Sequence, residues 1–212
     1  PELAALQEKL ACGKGDLILI VADRPAVAAE VLGRLRLQVA RALKLIPSGV
    51  FSLLWVVEFP LFQMNEEEGR LEAVHHPFTS PRPDDLPLLE TNPAKVRSRA
   101  YDLVLNGVEL GGGSIRIHRE EVQEKIFALM KIAPEQARSR FGFLLDALRS
   151  GAPPHGGIAL GLDRWLMLML GLDSIRDVIA FPKTQRAICL ATDSPSAVSE
   201  RQLKDLHIKI SG

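Results

Sequence analysis

Tyr101-Asp-Leu-Val-Leu-Asn-Gly-Val-Glu-Leu-Gly-Gly-Gly-Ser-Ile-Arg-Ile-His118 is the stretch that decides how the rest of the chain is read. Asn106-Gly107 is a strong type I′ turn signal between two alternating segments, so the stretch predicts a β-hairpin and an antiparallel sheet. A two-residue loop pairs Leu105 with Val108, Val104 with Glu109 and Leu103 with Leu110. Side chains alternate along a strand, which puts Asp102, Val104 and Glu109 on one face. Asp102 and Glu109 are then diagonal neighbours, roughly 7–8 Å apart at the backbone.

Two carboxylates at that spacing on a rigid sheet can hold a hard cation. Mg²⁺ carrying nucleotide phosphates fits, because it takes a few carboxylates and completes its shell with phosphate oxygens. The hairpin alone is read more ordinarily as the solvent-facing polar side of a sheet. Further along, Ser114, Arg116 and His118 point one way and Ile115 and Ile117 the other. Gly111-Gly-Gly113 inside a strand marks a bulge or a close approach by a ligand. Arg116 has two readings, an ion pair with Glu109 or Asp102, or a planar fork offered to a ligand carboxylate. The glycines favour the ligand.

Gly156-Gly-Ile-Ala-Leu-Gly-Leu-Asp-Arg164 is a glycine-spaced strand running straight into a helix. Arg164 in the first turn is locally unfavourable, since that end of a helix already carries partial positive charge. A bound anion reverses the penalty: Gly161 lets it reach the backbone, the helix end attracts it and Arg164 adds a full charge. Asp163 doubles as an ordinary N-terminal acid. The stretch is neither a G-x-x-x-x-G-K-[ST] loop nor a G-x-G-x-x-G dinucleotide loop. In His75-His76-Pro77-Phe78-Thr79, Pro77 forces His76 extended, so the two imidazoles are expected on different sides, with one facing any given pocket. A loop His pair of this kind is otherwise polar surface. Ser114 has no base at a recognisable spacing and there is no G-x-S-x-G elbow, so nucleophilic catalysis has no support.

Outward from these motifs the chain reads as three segments. Residues 1 to about 45 are expected to form helix, strand, helix: Leu3, Leu6 and Leu10 at helical spacing, a buried strand over Asp16–Ala22, then a helix capped by Asp23 with Pro25 in its first turn. Ala28, Val31, Leu32, Leu35, Val39 and Leu43 share one face of that helix. Pro47-Ser48-Gly49 is the break. Val50–Phe59 reads as a strand, and residues 63–99, rich in proline and holding Glu66-Glu67-Glu68, as mostly loop. Helices follow over Glu120–Ile132 and from Pro134 to Gly151, the second with Ala137, Phe141, Leu144 and Leu148 inward. A short strand over Ile158–Gly161 and a helix over Leu162–Leu170 come last.

The 212 residues suffice for one sizeable domain or a domain plus part of another. Lys+Arg and Asp+Glu are both 26, so any nucleic-acid contact has to be a local patch rather than an overall basic field. With 47% hydrophobic and 25% charged residues, wholesale disorder is excluded. Cys12 and Cys189 cannot build a disulfide scaffold, and no Cys/His cluster suggests zinc, so a reducing compartment is expected. No apolar run is long enough to span a bilayer. The first residue is Pro1, which suggests a trimmed or partial chain.

Taken together, the motifs resemble the C-terminal half of a bacterial or organellar aspartyl-tRNA synthetase, over nearly the whole chain. Trp55–Pro60, His75–Thr79, Tyr101–Glu109, Gly111–His118, Gly151–Gly157, Gly161–Arg164 and Ile175–Lys183 carry the resemblance in one order. The resemblance implies an α+β fold, the class II synthetase antiparallel sheet flanked by helices. Residues 46–212 would be the C-terminal half of the catalytic domain, with its third signature motif. Residues 1–45 would be the end of the small α+β domain inserted in bacterial members.

It implies that Arg164 contacts the ATP phosphates while Gly161, Leu162 and Asp163 line the nucleotide site. Glu109 would bind ATP through Mg²⁺, with Asp102 nearby. Arg116 would grip the side-chain carboxylate of aspartate, and His75 with His76 would complete that pocket. The implied partners are L-aspartate, ATP, tRNA(Asp) and a second copy of the full-length parent, in the cytoplasm or an organelle matrix and away from membranes. Asparagine would be refused because its neutral amide leaves the Arg116 guanidinium unpaired, a mismatch on the order of 10⁴-fold. The first two signature motifs and the anticodon-reading OB-fold have no counterpart in these residues, so the chain by itself is expected not to aminoacylate tRNA. Two rivals remain: an aspartate-activating enzyme of the asparagine synthetase type that uses no tRNA, and a non-catalytic module derived from a synthetase.

Overall fold

The computed structural model describes residues 2–211, which divide into a unit ending at Val50 and a second beginning at Phe51. In the first unit α1 (Glu2–Lys9) and α2 (Pro25–Ala42) flank a segment without regular structure. Two expectations fail here. The Asp16–Ala22 run forms no strand, so among the described residues the regular elements of this unit are its two helices. An apolar run becomes a strand only when a partner satisfies its backbone groups, and this unit supplies none. Nor does Asp23 cap α2: Arg24 is the cap residue, and Asp23 Oδ1 accepts from the adjacent Arg24 amide. Pro25 does open the helix. The apolar face of α2 is present, but none of its residues is buried; Leu3's side chain lies outside the described residues.

The second unit is built on a four-stranded antiparallel sheet in the order β1 (Leu53–Val57), β4 (Ala100–Leu105), β5 (Val108–Ile115), β6 (Gly156–Leu160). The β4–β5 turn has φ of 50° at Asn106 and 82° at Gly107, the left-handed pair that a type I′ turn requires. Asn106 also pins the turn to β1, accepting at Oδ1 from the Ser52 amide at 2.8 Å. Residues 63–99 are far less irregular than expected. They contain a second hairpin, β2 (Phe62–Asn65) with β3 (Arg70–Ala73), followed by the short helix α3 (Leu88–Thr91). Glu72 holds that hairpin by accepting from Gln63 and Asn65 side chains, bonds that keep its carboxyl below the usual range.

α4 (Glu120–Leu129) and α5 (Pro134–Arg149) follow β5, and α6 (Leu162–Met169) follows β6 with the cap residue Gly161 between them. A short helix α7 (Glu200–Asp205), opened by a Ser199–Gln202 capping box, is the last regular element among the described residues. The main core gathers Leu61, Phe62, Leu89, Val96, Ile117, Ile126 and Met130 between the second hairpin, α3 and α4. Phe78, Phe127 and Phe141 pack edge-on and stacked beside it. The core therefore sits under the His75–Thr79 loop and the end of β5, which it braces.

One ion-pair network joins the segment after that loop to the end of β1 and the stretch before β4. Asp85 accepts three hydrogen bonds from Arg97: the backbone amide and Nε at Oδ2, and Nη2 at Oδ1. Arg82 and Arg97 both reach Glu58 beyond β1. Arg97's hydrogen bonds hold the Asp85 carboxyl down at about 2, against an ordinary 3.8. A carboxyl whose value is depressed by folding contributes stability above its unfolded value and loses it as pH falls toward the folded one. Stability followed by chemical denaturation should therefore fall between pH 4 and 2 more steeply in the unmodified chain than in Asp85→Asn, which is weaker at neutral pH. Parallel curves would contradict the assignment.

Candidate active site

The register of β4 on β5 is what assembles the site. Leu105 pairs with Val108 and Val104 with Glu109, as the turn predicts, but Leu103 then pairs with Gly111 and Asp102 with Gly112. Leu110 is the extra residue of a β-bulge. Strict alternation would have left Arg116 on the opposite face from Asp102 and Glu109. One extra residue reverses the phase of everything beyond it. Asp102, Glu109, Gly112, Ser114 and Arg116 consequently line one cavity, closed by His75, His76, Gly113 and Ala159, with a volume of about 350 Å³.

The three glycines have different reasons. A Cβ on Gly113 would lie 2.0 Å from the Gly157 carbonyl oxygen, and one on Gly111 would lie 2.4 Å from that of Ala159. Both are demanded by β6 and not by a ligand, a correction to the reading of the glycine run. Gly112 faces the cavity. A Cβ there would stand 2.6 Å from Asp102 Oδ1 and 3.4 Å from Glu109 Oε1, so both carboxylates border the same small space that glycine leaves open. That cradle and its hard oxygen donors fit a divalent cation. Among the described residues no group of three or more His, Cys, Asp or Glu side chains is placed to hold a metal. A cation held by this pair would take its remaining ligands from phosphate or water, as Mg²⁺ does.

Arg116 is half-buried and forms no ion pair with either acid among the described residues, so its fork is not consumed by the neighbours that sequence reasoning offered as an alternative. Its Nη1 lies 3.1 Å from His76 Nδ1. Arginine can only donate, and the Phe78 amide donates to the same nitrogen at 3.2 Å. Nδ1 is therefore the acceptor and the imidazole proton sits on Nε2. Burial, then the charge on Arg116, then His75 hold His76 below the ordinary imidazole value of 6.5, which keeps it neutral.

Both histidines line the cavity, contrary to the expectation that they would point apart. The backbone turns at Pro77, with the Thr79 amide donating to the His76 carbonyl, so the alternation of an extended chain does not apply. His75 packs edge-on against Phe59 at 4.8 Å. The loop is laced to the end of β5 by Ile117 N to Phe78 O and Ser80 N to Ile115 O.

Gly161, Leu162, Asp163 and Arg164 stand outside the cavity wall. Gly161 donates to the Leu110 carbonyl at the bulge, and Arg164 Nη1 donates to the Glu109 carbonyl at 2.8 Å, with the Glu109 carboxylate 3.9 Å away. The helix start and the hairpin thus meet at Glu109. A Cβ on Gly161 would have its nearest contact at 3.4 Å, so the protein's own packing barely restricts that position. His118 does not border the cavity. Sequence reasoning passed over Ser114 as a lining residue: it is buried, with its Oγ 3.4 Å from Thr79 Oγ1.

The cavity thus sets a half-buried guanidinium, contacted by a neutral histidine, beside two carboxylates, with a second arginine at a helix start reaching the Glu109 carbonyl outside its wall. Residues 32–185 match the family model described as tRNA synthetases class II (D, K and N). The chain belongs to that family of class II aminoacyl-tRNA synthetases. Within it, the chain is 57% identical over 209 residues to the aspartate–tRNA(Asp/Asn) ligase of Halothermothrix orenii, covering 99% of this chain and 35% of that protein. It is 58% identical, again over 99% of its length, to the ligase of the same name from Heliobacterium modesticaldum, of which it covers 34%. The chain thus spans about a third of the length of these relatives. The solved aspartyl-tRNA synthetase of Entamoeba histolytica is 23% identical over 87% of this chain and 31% of its own, with a TM-score of 0.49.

Proposed function

We propose that this chain carries the aspartate pocket and part of the ATP site of an aspartate–tRNA ligase. The observation that carries the reading is the bulge at Leu110, which puts a cation-binding pair, Asp102 and Glu109, on the same face as Arg116. Arg116 pairs with the side-chain carboxylate of L-aspartate, and His75 and His76 close the pocket. Asp102 and Glu109 would hold Mg²⁺, and its charge would offset that of the ATP phosphates. Arg164 and the backbone over Gly161–Asp163 receive the nucleotide.

The α-carboxylate oxygen of aspartate attacks the α-phosphorus of ATP, and the bond from that phosphorus to the bridging oxygen of pyrophosphate breaks. A terminal hydroxyl of tRNA then attacks the aspartyl carbonyl and AMP leaves. No protein nucleophile is needed, since orientation and charge stabilisation suffice. The relatives' names give tRNA(Asp/Asn) as their substrate, and in this proposal the full-length parent is a dimeric cytoplasmic enzyme that charges tRNA. Among the described residues no helix is long and apolar enough to cross a membrane.

ATP–pyrophosphate exchange with aspartate tests the division of labour. The purified 212-residue chain should show no exchange above background, because it spans about a third of the length of its relatives and the first two signature motifs have no counterpart in it. Robust exchange by the chain alone would overturn that part of the proposal.

A further inference from the structure

Gln123 is fully buried on α4, in a position where the sequence suggests only a polar helix face. Its Nε2 donates to the Pro77 carbonyl at 2.8 Å. Its Oε1 has no partner among the described residues. Turning the amide over would set oxygen against oxygen at Pro77, so this orientation is the one the contacts require. A buried amide with one end unpaired is a poor choice for stability, and an apolar side chain of the same shape would spare the desolvation of that oxygen. Packing therefore does not explain a glutamine here.

Its one bond does. Pro77 has no N–H, so its carbonyl is its one backbone hydrogen-bonding group, and the residue follows His76 directly in the segment that carries both histidines of the cavity. On one side this segment is laced to β5 through backbone bonds of Phe78 and Ser80. Toward α4, the Gln123 hydrogen bond to Pro77 stands beside the edge-on contact of Phe78 with Phe127, and it is the directional one of the two. His76 Nδ1, one residue before Pro77, meets Arg116 Nη1. We infer that Gln123 is a positioning residue: by holding the Pro77 carbonyl it sets the His76 ring against Arg116, and so aims the guanidinium into the cavity. The inference rests on the proposed aspartate pocket only for the identity of the ligand; the coupling itself is a property of the chain alone.

Gln123→Met keeps the shape and removes the donor. NMR of the imidazole nitrogens in the 212-residue chain should then show the His76 titration moving up toward the ordinary imidazole range and the Nε2–H tautomer losing its dominance, while the chain stays folded. A non-hydrolysable aspartyl-adenylate analogue should bind about tenfold more weakly, the effect of one lost orienting hydrogen bond. A residue that only fills space would leave the His76 titration and tautomer where they are, and that result overturns the inference.

If the variant does not fold, the unmodified chain decides. The Gln123 side-chain amide signal should shift with the same midpoint as the His76 ring, and a flat response would overturn the coupling. An unmodified chain that shows the coupling but binds no analogue would instead overturn the aspartate reading, so the two failures are separable.

Discussion

Arg116→Ala should weaken binding of an aspartyl-adenylate analogue by about 10²-fold while leaving the chain folded, since removing a partly desolvated charge partner costs roughly 2–5 kcal/mol and this side chain is half-buried rather than sealed. The fold should survive because, among the described residues, Arg116 has no ion pair to lose; its side chain contacts neutral His76. Arg116→Lys should recover little, because an ammonium offers a point charge where a planar fork meets a carboxylate. Titration calorimetry alongside thermal melts separates the effects. Weakened binding with an unchanged melt supports the assignment, and unaltered binding would remove Arg116 from the site.

The second large effect is on the fold, and through it on the site. Gly113→Ala should cost about 3 kcal/mol or more, or prevent folding, because the new Cβ would fall 2.0 Å from the Gly157 oxygen and 2.9 Å from two further backbone atoms of β6. Backbone in a paired strand cannot rotate away as a side chain can. The ladder from Gly111 to Ile115 against Gly156 to Leu160 would have to open. Since β6 delivers Gly161 and Arg164 to Leu110 and Glu109, the proposed nucleotide end of the site would separate from the carboxylates. Gly112→Ala is the contrasting variant. Its Cβ meets the Asp102 side chain, which can turn aside, so the chain should fold but lose Mg²⁺-dependent nucleotide binding. Urea denaturation should rank Gly113→Ala far below Gly112→Ala; equal stabilities would contradict the different reasons given for neighbouring glycines.

Much of this architecture can be read from local chemistry. Asn106-Gly107 announces its turn because two consecutive left-handed residues leave few alternatives, and Pro134 and Gly151 bracket α5 for similarly local reasons. Where a neighbour distant in sequence decides the outcome, reading fails. The Asp16–Ala22 run has the composition of a strand and no partner to make it one. The β2–β3 hairpin hides in a polar, proline-rich stretch because Gln63, Asn65 and Glu72 stabilise it through side-chain bonds across the strands rather than through apolar alternation.

The site divides in the same way. Arg116, Glu109, Asp102 and Arg164 are recognisable by residue type and spacing. Glycines at 111–113 hint at a bulge, but only the pairing shows it at Leu110, and that one-residue displacement decides whether Arg116 joins the carboxylates. Gln123 could not be found in advance, because a glutamine on a helix is polar surface until the loop above it is known.

The most direct measurement of the whole proposal compares two ligands on one chain. Aspartyl- and asparaginyl-adenylate analogues differ by a carboxylate against an amide of nearly the same shape, so steric fit cancels and the charge facing Arg116 remains. With Mg²⁺ present, calorimetry should find the aspartyl analogue bound at least about 10²-fold more tightly, because the amide leaves the guanidinium unpaired. Equal affinities, or preference for the asparaginyl analogue, would show that the cavity between the two histidines and the bulged hairpin does not read the aspartate side chain.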